Sequence, residues 1–543
     1  MEQDTQRAKN LLRQQLSSPI QELKASYNVV VIGSGYGGGI CAARLAGHGK
    51  SVCVLERGRE FRGKGKRRDF PFNNLLEAAR ELNLPVNPLG LYDVRLNQDV
   101  DVVQGCGLGG TSLINANVMY MPESNLFDDQ RWPKEITFGR LAHYYERARA
   151  ELRAEPYASP LPLKAQRLRE ASFGEGHWTQ PPIAVTTEDY PEGAAVDMLR
   201  CVECGSCVSG CNFSAKNTVD MTYLPRAKSA GAEIFTRIKV RFLSQEKPAG
   251  PYLLHYVYYG EAGKSEGTIS AQTVILAGGS LGSTEILLRS KKEGGLAVPA
   301  KIGTQFSGNA DLICCAYNND LRAAINVGPT IVSSIEYWQG ADFKDHFIVE
   351  EGAMPKPLIH VAGRALASLK ELGGGIDTDP GEDQFAEWLR TVRDLDGFDP
   401  GGALDHSLLF LGIGHDSSKG RIELSSKKEG VVIKYPGYPK EAIFLRMSKT
   451  MLKLTKALGG TYIKNPRWSK LLGGNMTTVH PLGGCPMDGR DGEKVVDHLG
   501  LVHGHRKLYV ADGAILPTAV GVNPAFTIAA LAERIAENIR PKL

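Results

Sequence analysis

Four cysteines within eleven residues form the densest group of reactive side chains in this sequence of 543 residues. Cys201, Cys204, Cys207 and Cys211 have the spacing C-x2-C-x2-C-x3-C of a bacterial ferredoxin run, although Asn212 replaces the usual Pro. In two-cluster ferredoxins the fourth Cys serves the other cluster, so a single cluster here needs a remote Cys or a different loop path. The spacing favours an iron–sulfur cluster, and a zinc tetrathiolate, disulfides or reduced structural thiols remain the alternatives.

His480 is a candidate general base. It lies in NMTTVHPLGGCPM, between turn residues and not on an apolar helix face. Catalytic groups are often carried on such loops, and the near-neutral pKa of an imidazole suits removal of a hydroxyl proton as hydride leaves the carbon. A structural or exposed histidine is the plainer interpretation.

Asn523 precedes Pro524 at the predicted start of a helix, so it is expected at the N-cap with Pro at N1. That capping role is a complete explanation of Asn523 by itself. The same helix N-terminus would also stabilise negative charge that develops on a redox cofactor. The two roles are compatible.

The elements that must position these groups begin with a predicted strand at 28–32, followed by the G-x-G-x-x-G pattern of Gly33, Gly35 and Gly38. The glycines permit a tight turn, backbone approach to a pyrophosphate, and close helix–sheet packing. A second apolar strand ends in Glu56, where a ribose-binding carboxylate belongs. This is the pattern of a dinucleotide site.

The end of the sequence distinguishes between two dinucleotides. The fingerprint alone allows NAD or FAD. Asp512 and Gly513 follow a last predicted strand at 507–511 and are placed to hold a second portion of a long cofactor. FAD has a ribityl chain and a large ring, so it needs this second contact from the C-terminal segment, whereas NAD does not. We therefore predict FAD.

Composition narrows the class of protein. Sixty-one glycines and 42% hydrophobic residues are typical of a turn-rich α/β enzyme, and a net charge of +4 gives no nucleic-acid footprint. The basic run at 57–68 is typical of a solvated loop; the alternative is contact with an anionic partner or membrane head groups. No signal peptide or membrane span is predicted, so we expect a cytoplasmic protein, with docking on a membrane surface as the alternative.

Several blocks together resemble the glucose–methanol–choline (GMC) family of FAD oxidoreductases, most closely its cholesterol-oxidase-like branch. The blocks occur in the expected order and span nearly the whole chain. They are GSGYGG with Glu56, the first signature from Gly105 to Asn115, AKNTVDMTYLPRA at 215–227, the second signature at 279–284, and His480 with Asn523.

The resemblance implies specific roles. His480 would orient or deprotonate the substrate hydroxyl, and Asn523 would hydrogen-bond its oxygen while hydride passes to flavin N5. Sterol oxidases of this kind also carry an active-site Glu, for which Glu351 is the candidate and Glu350 competes. The cofactor residues implied beside the flavin ring are Gly109, Gly110, Thr111, Ser112 and Asn115. Val240 is implied near the adenine.

The predicted fold is α/β, with a Rossmann-like FAD-binding domain in discontinuous segments and an α+β substrate domain containing an antiparallel sheet. The predicted segments are a helical lead-in (1–26), FAD-binding parts (27–120, 191–300 and 471–543) and substrate-domain parts (121–190 and 301–470). Within the second FAD-binding part, strands are predicted at 232–242, 267–270 and 273–277.

The predicted function is FAD-dependent oxidation of a hydrophobic alcohol, such as a sterol-like secondary alcohol or a long-chain alcohol, to the carbonyl. The electron acceptor would be oxygen or an external carrier. A non-redox flavoprotein of the same fold, such as a lyase or isomerase, and a flavin/iron–sulfur electron-transfer dehydrogenase are the alternatives.

Overall fold

The computed structural model describes residues 15–62, 68–158, 160–172, 174, 176–189, 198–340, 342–381, 383–426, 429–468 and 474–543. The strands are β1 (Ser26–Ile32), β2 (Val52–Leu55), β3 (Tyr92–Arg95), β4 (Val100–Gly105), β5 (His177–Thr179), β6 (Glu233–Phe235), β7 (Ile238–Ser244), β8 (Tyr252–Gly260), β9 (Gly263–Leu276), β10 (Leu312–Tyr317), β11 (Ser334–Tyr337), β12 (Phe347–Gly352), β13 (Gly375–Asp377), β14 (Leu408–Gly414), β15 (Arg421–Leu424), β16 (Val431–Lys434), β17 (Thr461–Lys464), β18 (Met476–Thr478) and β19 (Leu508–Val510). The helices are α1 (Tyr36–Leu45), α2 (Leu75–Arg80), α3 (Phe138–Leu152), α4 (Leu163–Ala171), α5 (Tyr223–Ser229), α6 (Gly279–Lys292), α7 (Lys356–Leu369), α8 (Gln384–Arg393), α9 (Ala442–Leu458) and α10 (Ala525–Ile539).

The first sheet has the strand order β6-β2-β1-β9-β8-β7, with β19 also paired to β9. Strands β6, β2, β1, β9 and β19 are parallel to their neighbours in this part of the sheet. Helix α1 packs on β1, β2 and β9, and α10 packs on α1. The continuous apolar runs VVVI and VCVL suit strands buried on both faces, which is how β1 and β2 are found. The sequence prediction of these two strands is confirmed.

Strand β9 departs from the sequence prediction. Residues 267–270 and 273–277 are predicted as two strands, but they belong to one strand of 14 residues. Its first half forms an antiparallel hairpin with β8, and its second half lies between β1 and β19. Conversely, the single strand predicted at 232–242 is divided into β6 and β7, because Arg237 has a left-handed φ of 63°.

The second sheet has the order β13-β17-β10-β14-β12-β11-β5, and every pairing in it is antiparallel. Helix α9 packs on β10, β12, β14 and β17, and its apolar face includes the buried Met447 and Met451. This arrangement agrees with the predicted antiparallel sheet of an α+β domain. The boundaries of the six sequence segments stay a prediction.

Two features near the beginning of the chain also bear on the predictions. Of the predicted helical lead-in, residues 1–14 lie outside the described residues. Residues 15–25 contain a 3-10 turn at Ile20–Glu22 and no α-helix. In the basic run, Arg57 pairs with Asp93, Arg59 with Asp69 and Glu81, and Arg68 with Asp220, while 63–67 are not described. Within the described ranges, no helix is long and apolar enough to cross a membrane.

Candidate active site

A cavity of about 660 Å³ is lined by residues of both seven-stranded sheets. Residues that follow β1 and β2, among them Gly33, Gly35 and Glu56, contribute one part of its wall. His480 and Asn523 contribute another part. The cavity therefore brings together the fingerprint and the candidate catalytic residues, which lie more than 400 positions apart in the sequence.

The fingerprint glycines have the steric roles that the pattern predicts. Gly33 has a φ of 98°, and a Cβ there would collide with the Ala277 carbonyl. Gly38 lies behind the cavity wall, where a Cβ would collide with the Gly33 carbonyl oxygen as α1 crosses β1. Gly35 borders the cavity, and nothing lies closer than 3.9 Å to its virtual Cβ. The N-terminus of α1 is thus open to a ligand.

Glu56 is buried at the end of β2 and borders the cavity. It accepts hydrogen bonds from the backbone and hydroxyl of Ser34, at 3.1 and 2.6 Å, and from Gly58 N–H at 2.7 Å. Burial raises the pKa of the Glu56 carboxyl, and these hydrogen bonds oppose that rise. Val240 also borders the cavity, on β7, whose first residue donates its N–H to the Glu56 carbonyl.

The second glycine-rich stretch lies directly against the first. A Cβ on Gly110 would lie 2.7 Å from the Gly35 Cα. Thr111 borders the cavity and accepts the Gly105 N–H at 3.1 Å through its hydroxyl. Asn115 borders it as well, and its Nδ2 donates to the Tyr36 hydroxyl at 3.0 Å.

Two residues of this stretch hold it in place from behind the wall. Ser112 donates to the Gly109 carbonyl at 2.6 Å and accepts the Val219 N–H at 3.1 Å. The Gly109 N–H donates to the Ser34 hydroxyl at 3.0 Å. Neither Gly109 nor Ser112 borders the cavity, so their contribution to a ligand site is through the position of their neighbours.

Asp512 joins the C-terminal segment to the start of α6. Its carboxylate accepts the Gly279 N–H at 2.8 Å, the Ser283 hydroxyl, and the Ala514 N–H at 2.8 Å. Burial raises the pKa of Asp512 to about 6. Asp512 and Gly513 both border the cavity, which is the position that contact with a long cofactor requires.

His480 is held by a buried carboxylate. Its Nδ1 lies 2.8 Å from Asp311 Oδ1, while Asp311 Oδ2 accepts the N–H groups of Val479 and His480 and the Thr478 hydroxyl. Because an ionised carboxylate can only accept, Nδ1 carries the proton. Nε2 is then the free acceptor of a side chain that borders the cavity.

The carboxylate that contacts Asn523 is Glu350. Asn523 Nδ2 donates to Glu350 Oε2 at 3.2 Å, and within the described chain neither Glu350 Oε1 nor Asn523 Oδ1 has a partner. Burial, the Asn523 contact and the charges of Glu351 and Asp311 together leave the pKa of Glu350 raised to about 8. Asn523 borders the cavity, so its Oδ1 is available to a ligand, whereas Glu350 is fully buried and does not border the cavity.

Glu351, the candidate preferred over Glu350 from sequence, does not contact Asn523, and its catalytic role stays a prediction. It does not border the cavity, and it is fully buried in an ion pair with Lys164 at 2.8 Å. Its oxygens also accept from Val332 and Ser333. Adjacent residues of a strand point to opposite faces, so β12 directs only one of Glu350 and Glu351 toward Asn523.

The predicted N-cap role of Asn523 is also wrong. Helix α10 begins at Ala525 with Pro524 at the cap position, and no side chain caps it. Because Asn523 gives its Nδ2 to Glu350, the alternative explanation by helix capping loses its support.

Sequence analysis missed the loop at 307–311 that holds both candidate catalytic residues. Asp311 fixes His480, and Asn309 fixes the segment before Asn523 by donating to the Val522 carbonyl at 2.7 Å. Its Oδ1 accepts from Val520 and Gly521 at 2.9 and 3.1 Å. The only signal was a pair of polar residues, Asn and Asp, directly before an apolar strand.

None of the four cysteines of the 201–211 segment borders this cavity. Cys201, Cys204, Cys207 and Cys211 are all free and partly buried, which is against the disulfide alternative. All four border one small separate cavity.

Comparison with known proteins identifies the class. Two family models described as GMC oxidoreductase match residues 36–306 and 416–532. The chain therefore belongs to the GMC oxidoreductase family, and it is a flavoprotein oxidoreductase that acts on CH–OH donors.

Relatives are similar over nearly the whole chain. A cholesterol oxidase of Mycobacterium tuberculosis is 27% identical over 95% of this chain and 91% of its own length. A cholesterol oxidase of Acinetobacter baumannii is 26% identical, over 95% of both chains. A long-chain-alcohol oxidase of Arabidopsis thaliana is 24% identical over 94% of this chain and 67% of its own length.

Solved structures show the same fold. Pyridoxine 4-oxidase from Mesorbium loti superposes with a TM-score of 0.59 at 16% identity, covering 94% of this chain and 98% of its own. A fungal aryl-alcohol oxidase superposes with a TM-score of 0.59 at 15% identity, covering 96% and 100%.

Proposed function

We propose that this enzyme oxidises a hydrophobic alcohol, sterol-like and secondary or long-chain, to its carbonyl compound. The observation that carries the proposal is the His480–Asp311 contact of 2.8 Å, which leaves Nε2 as a base facing the cavity. The apolar part of the wall supports a hydrophobic substrate, and Met354, Leu358, Leu409 and Leu411 belong to it. The names of the cholesterol and long-chain-alcohol oxidase relatives support the same substrate class.

The cavity fits FAD. Gly33, Gly35, Glu56 and Val240 would hold the adenosine end, with Asp512 and Gly513 nearer the middle of the cofactor. Asn115 Oδ1 is buried and has no partner among the described residues, so a polar ligand atom would satisfy it. Bound FAD supplies the hydride acceptor.

The protein side chains perform the rest of the reaction. His480 Nε2 accepts the hydroxyl proton, and Asp311 stabilises the imidazolium that results. Asn523 binds the substrate oxygen with Glu350 beside it. Glu350, whose pKa burial raises to about 8, does not border the cavity and would position Asn523 by accepting from its Nδ2. Apolar walls exclude water from the reacting atoms.

The electron acceptor in this proposal is oxygen or an external carrier. The oxidase names of the relatives support oxygen. The non-redox alternative loses its basis, because the family to which the chain belongs is one of oxidoreductases.

We also propose peripheral contact with a membrane, from which a hydrophobic alcohol would enter. Helix α7 contacts the segment directly after α8, where Arg364 Nε donates to the Leu395 carbonyl at 2.6 Å. Leu358 on α7 borders the cavity and is also exposed. Other exposed apolar side chains lie on both helices, and they are Val361, Phe385, Trp388, Leu389 and Val392. Exposed apolar side chains grouped in this way are typical of an interaction site.

The test is anaerobic mixing of the purified flavoprotein with cholesterol and with long-chain alcohols. Wild type is expected to bleach the flavin absorbance with at least one of them. His480→Ala is expected to keep its yellow FAD and lose this reduction. His503→Ala is the matched control, because His503 also pairs with a carboxylate, Asp488, at 2.8 Å but does not border the cavity. Reduction by His480→Ala at the wild-type rate would contradict the role of His480.

A further inference from the structure

We propose that Cys201, Cys204, Cys207 and Cys211 hold an iron–sulfur cluster that passes electrons from the bound flavin to an external one-electron carrier. The electron-transfer part rests on the proposed function, since it needs a flavin that substrate reduces. The metal-binding part stands on the cysteine loop alone.

All four cysteines converge on one cavity. They border the same small space, together with Gly205, Gly210 and Lys216. The loop turns at Gly205, with a φ of 67°, and at Gly210, with a φ of 96°. A Cβ at Gly205 would lie 2.5 Å from the Asn326 carbonyl oxygen, and one at Gly210 would collide with the Phe70 ring. This path differs from that of a two-cluster ferredoxin, in which the fourth cysteine leaves for another cluster.

The separation of the sulfur atoms distinguishes a cluster from zinc. Tetrahedral zinc with Zn–S bonds of about 2.3 Å brings its sulfur ligands to within about 3.8 Å of one another. Within the described part of the chain, the only three ligand atoms that lie within 4.8 Å of one another belong to Asp320, Asp379 and Asp383. No three of the four sulfurs are that close. A cluster binds each cysteine through a different iron atom and accommodates the wider spacing.

A buried cation beside the cavity favours an anionic occupant. Lys216 is 1% exposed, and its ammonium donates to the carbonyls of Leu113 and Cys207, at 2.9 Å each. Among the described residues it forms no ion pair, although a buried charge is costly unless it is compensated. Four cysteine thiolates around a cluster would provide that compensation.

The loop lies next to the cofactor cavity. Val208, between the third and fourth cysteines, borders the large cavity that we assign to FAD. Lys216 connects the Cys207 carbonyl to Leu113, the last residue of the 3-10 turn that begins at Gly110. On the other side, Thr330 borders the large cavity and donates to the Gly205 carbonyl at 3.3 Å. A cluster in the loop would therefore be separated from the flavin by one layer of residues.

The electrons and protons balance. Oxidation of one alcohol to a carbonyl releases two electrons and two protons; the hydride carries both electrons and one proton, and His480 takes the other. The cluster accepts one electron at a time. Two equivalents of a one-electron carrier are therefore reduced for each alcohol, and both protons are finally released to water.

The first test is metal analysis of the full-length protein, purified anaerobically and reconstituted with iron and sulfide. Iron and acid-labile sulfide in equal amounts, with an electron paramagnetic resonance signal on reduction, are expected. Cys204→Ser and Cys207→Ser should lose at least about nine-tenths of the iron and of the sulfide while keeping FAD. The control Cys53→Ala, in the buried strand β2, should keep its iron and sulfide. Wild-type protein with no iron, with zinc, or with iron and no sulfide would overturn the proposal. If the serine variants fail to fold, the wild-type analysis alone decides.

The second test separates electron transfer through the cluster from the oxidation of the alcohol. In anaerobic stopped-flow experiments, Cys204→Ser is expected to reduce its flavin with substrate at the wild-type rate. Its subsequent transfer of electrons to cytochrome c, a one-electron carrier too large for the cavity, should be at least about tenfold slower. Equal rates of electron transfer to cytochrome c in the variant and wild type would overturn the proposal that electrons leave through the cluster. Loss of flavin reduction in wild type would instead contradict the proposed function and leave the metal analysis unaffected.

Discussion

At the scale of single residues, the chemistry depends on what the buried carboxylates do. Asp311 accepts four hydrogen bonds around His480 and fixes its tautomer. Glu350, in contrast, has a raised pKa and one oxygen without a partner among the described residues. The two acids thus have different tasks, because Asp311 orients the base His480 and Glu350 holds the Asn523 amide.

Asp311→Asn should slow flavin reduction by about 10²–10⁴-fold, because an amide no longer stabilises the imidazolium or fixes Nδ1–H. The measurement is the anaerobic rate of flavin reduction as a function of pH, and the pH profile should shift. FAD content and melting temperature report whether the fold survives. Asp488→Asn, which affects the His503 pair away from the cavity, is the control. An unchanged rate and profile would show that Asp311 has no positioning role.

Glu350→Gln should change how stability depends on pH. The pKa of Glu350 is raised from its ordinary value near 4.5 to about 8, so the folded state holds a proton that the unfolded state releases between those values. Stability from this group is present below about pH 4.5 and is lost as pH rises toward 8. Each tenfold difference in proton affinity corresponds to about 1.4 kcal/mol.

The glutamine variant has no such proton to lose. Its melting temperature relative to wild type should therefore increase from pH 5 to pH 8. Thermal unfolding across that range is the measurement, with Glu351→Gln as a contrast, because it breaks the buried pair with Lys164 and should destabilise the protein at every pH in the range. Parallel curves for wild type and Glu350→Gln would contradict the protonated state of Glu350.

At the scale of elements, the contact between α1 and β1 depends on Gly38. Gly38→Ala places a Cβ against the Gly33 carbonyl and should destabilise the protein by about 1–3 kcal/mol while lowering FAD content. Gly139→Ala is the control, since nothing lies within 4 Å of a Cβ at that position in α3, and alanine there should be neutral or stabilising. Chemical denaturation and flavin absorbance measure the two effects; equal stability of both variants would contradict the close helix–strand contact.

Local patterns were enough to predict β1, β2, the fingerprint and the antiparallel sheet. VVVI, VCVL and the glycine spacing determine conformation within a few residues, so they needed no distant partner. The choice between Glu350 and Glu351 could not be made in this way. The faces of β12 are set by its pairing with β11 and β14, and VEEGAMP does not contain that information. Asp311 was missed because its partner lies 169 positions away.

At the scale of the whole molecule, the apolar face on α7 and α8 would connect a membrane to the cavity. The double variant Phe385→Glu, Trp388→Glu should reduce binding to phosphatidylcholine vesicles by at least about tenfold, because it removes the two aromatic side chains that are 72% and 57% exposed. Its activity on alcohol dissolved in detergent should not change.

Leu445→Glu, at a leucine 56% exposed on α9, is the control for that variant and should leave vesicle binding as in wild type. Co-sedimentation with the vesicles is the measurement. Binding by the double variant equal to that of wild type would rule out this face as the contact.

The position of β9 between β1 and β19 has a consequence for biosynthesis. On the ribosome, β1 and β9 can pair early, but the other edge of β9 at 274–276 has no neighbour until β19 is made, more than 200 residues later. Asp512, which follows β19, is equally late. During this interval an apolar strand edge is open to other chains, so we expect the nascent protein to be prone to aggregation and to bind its cofactor only after the C-terminal segment is made.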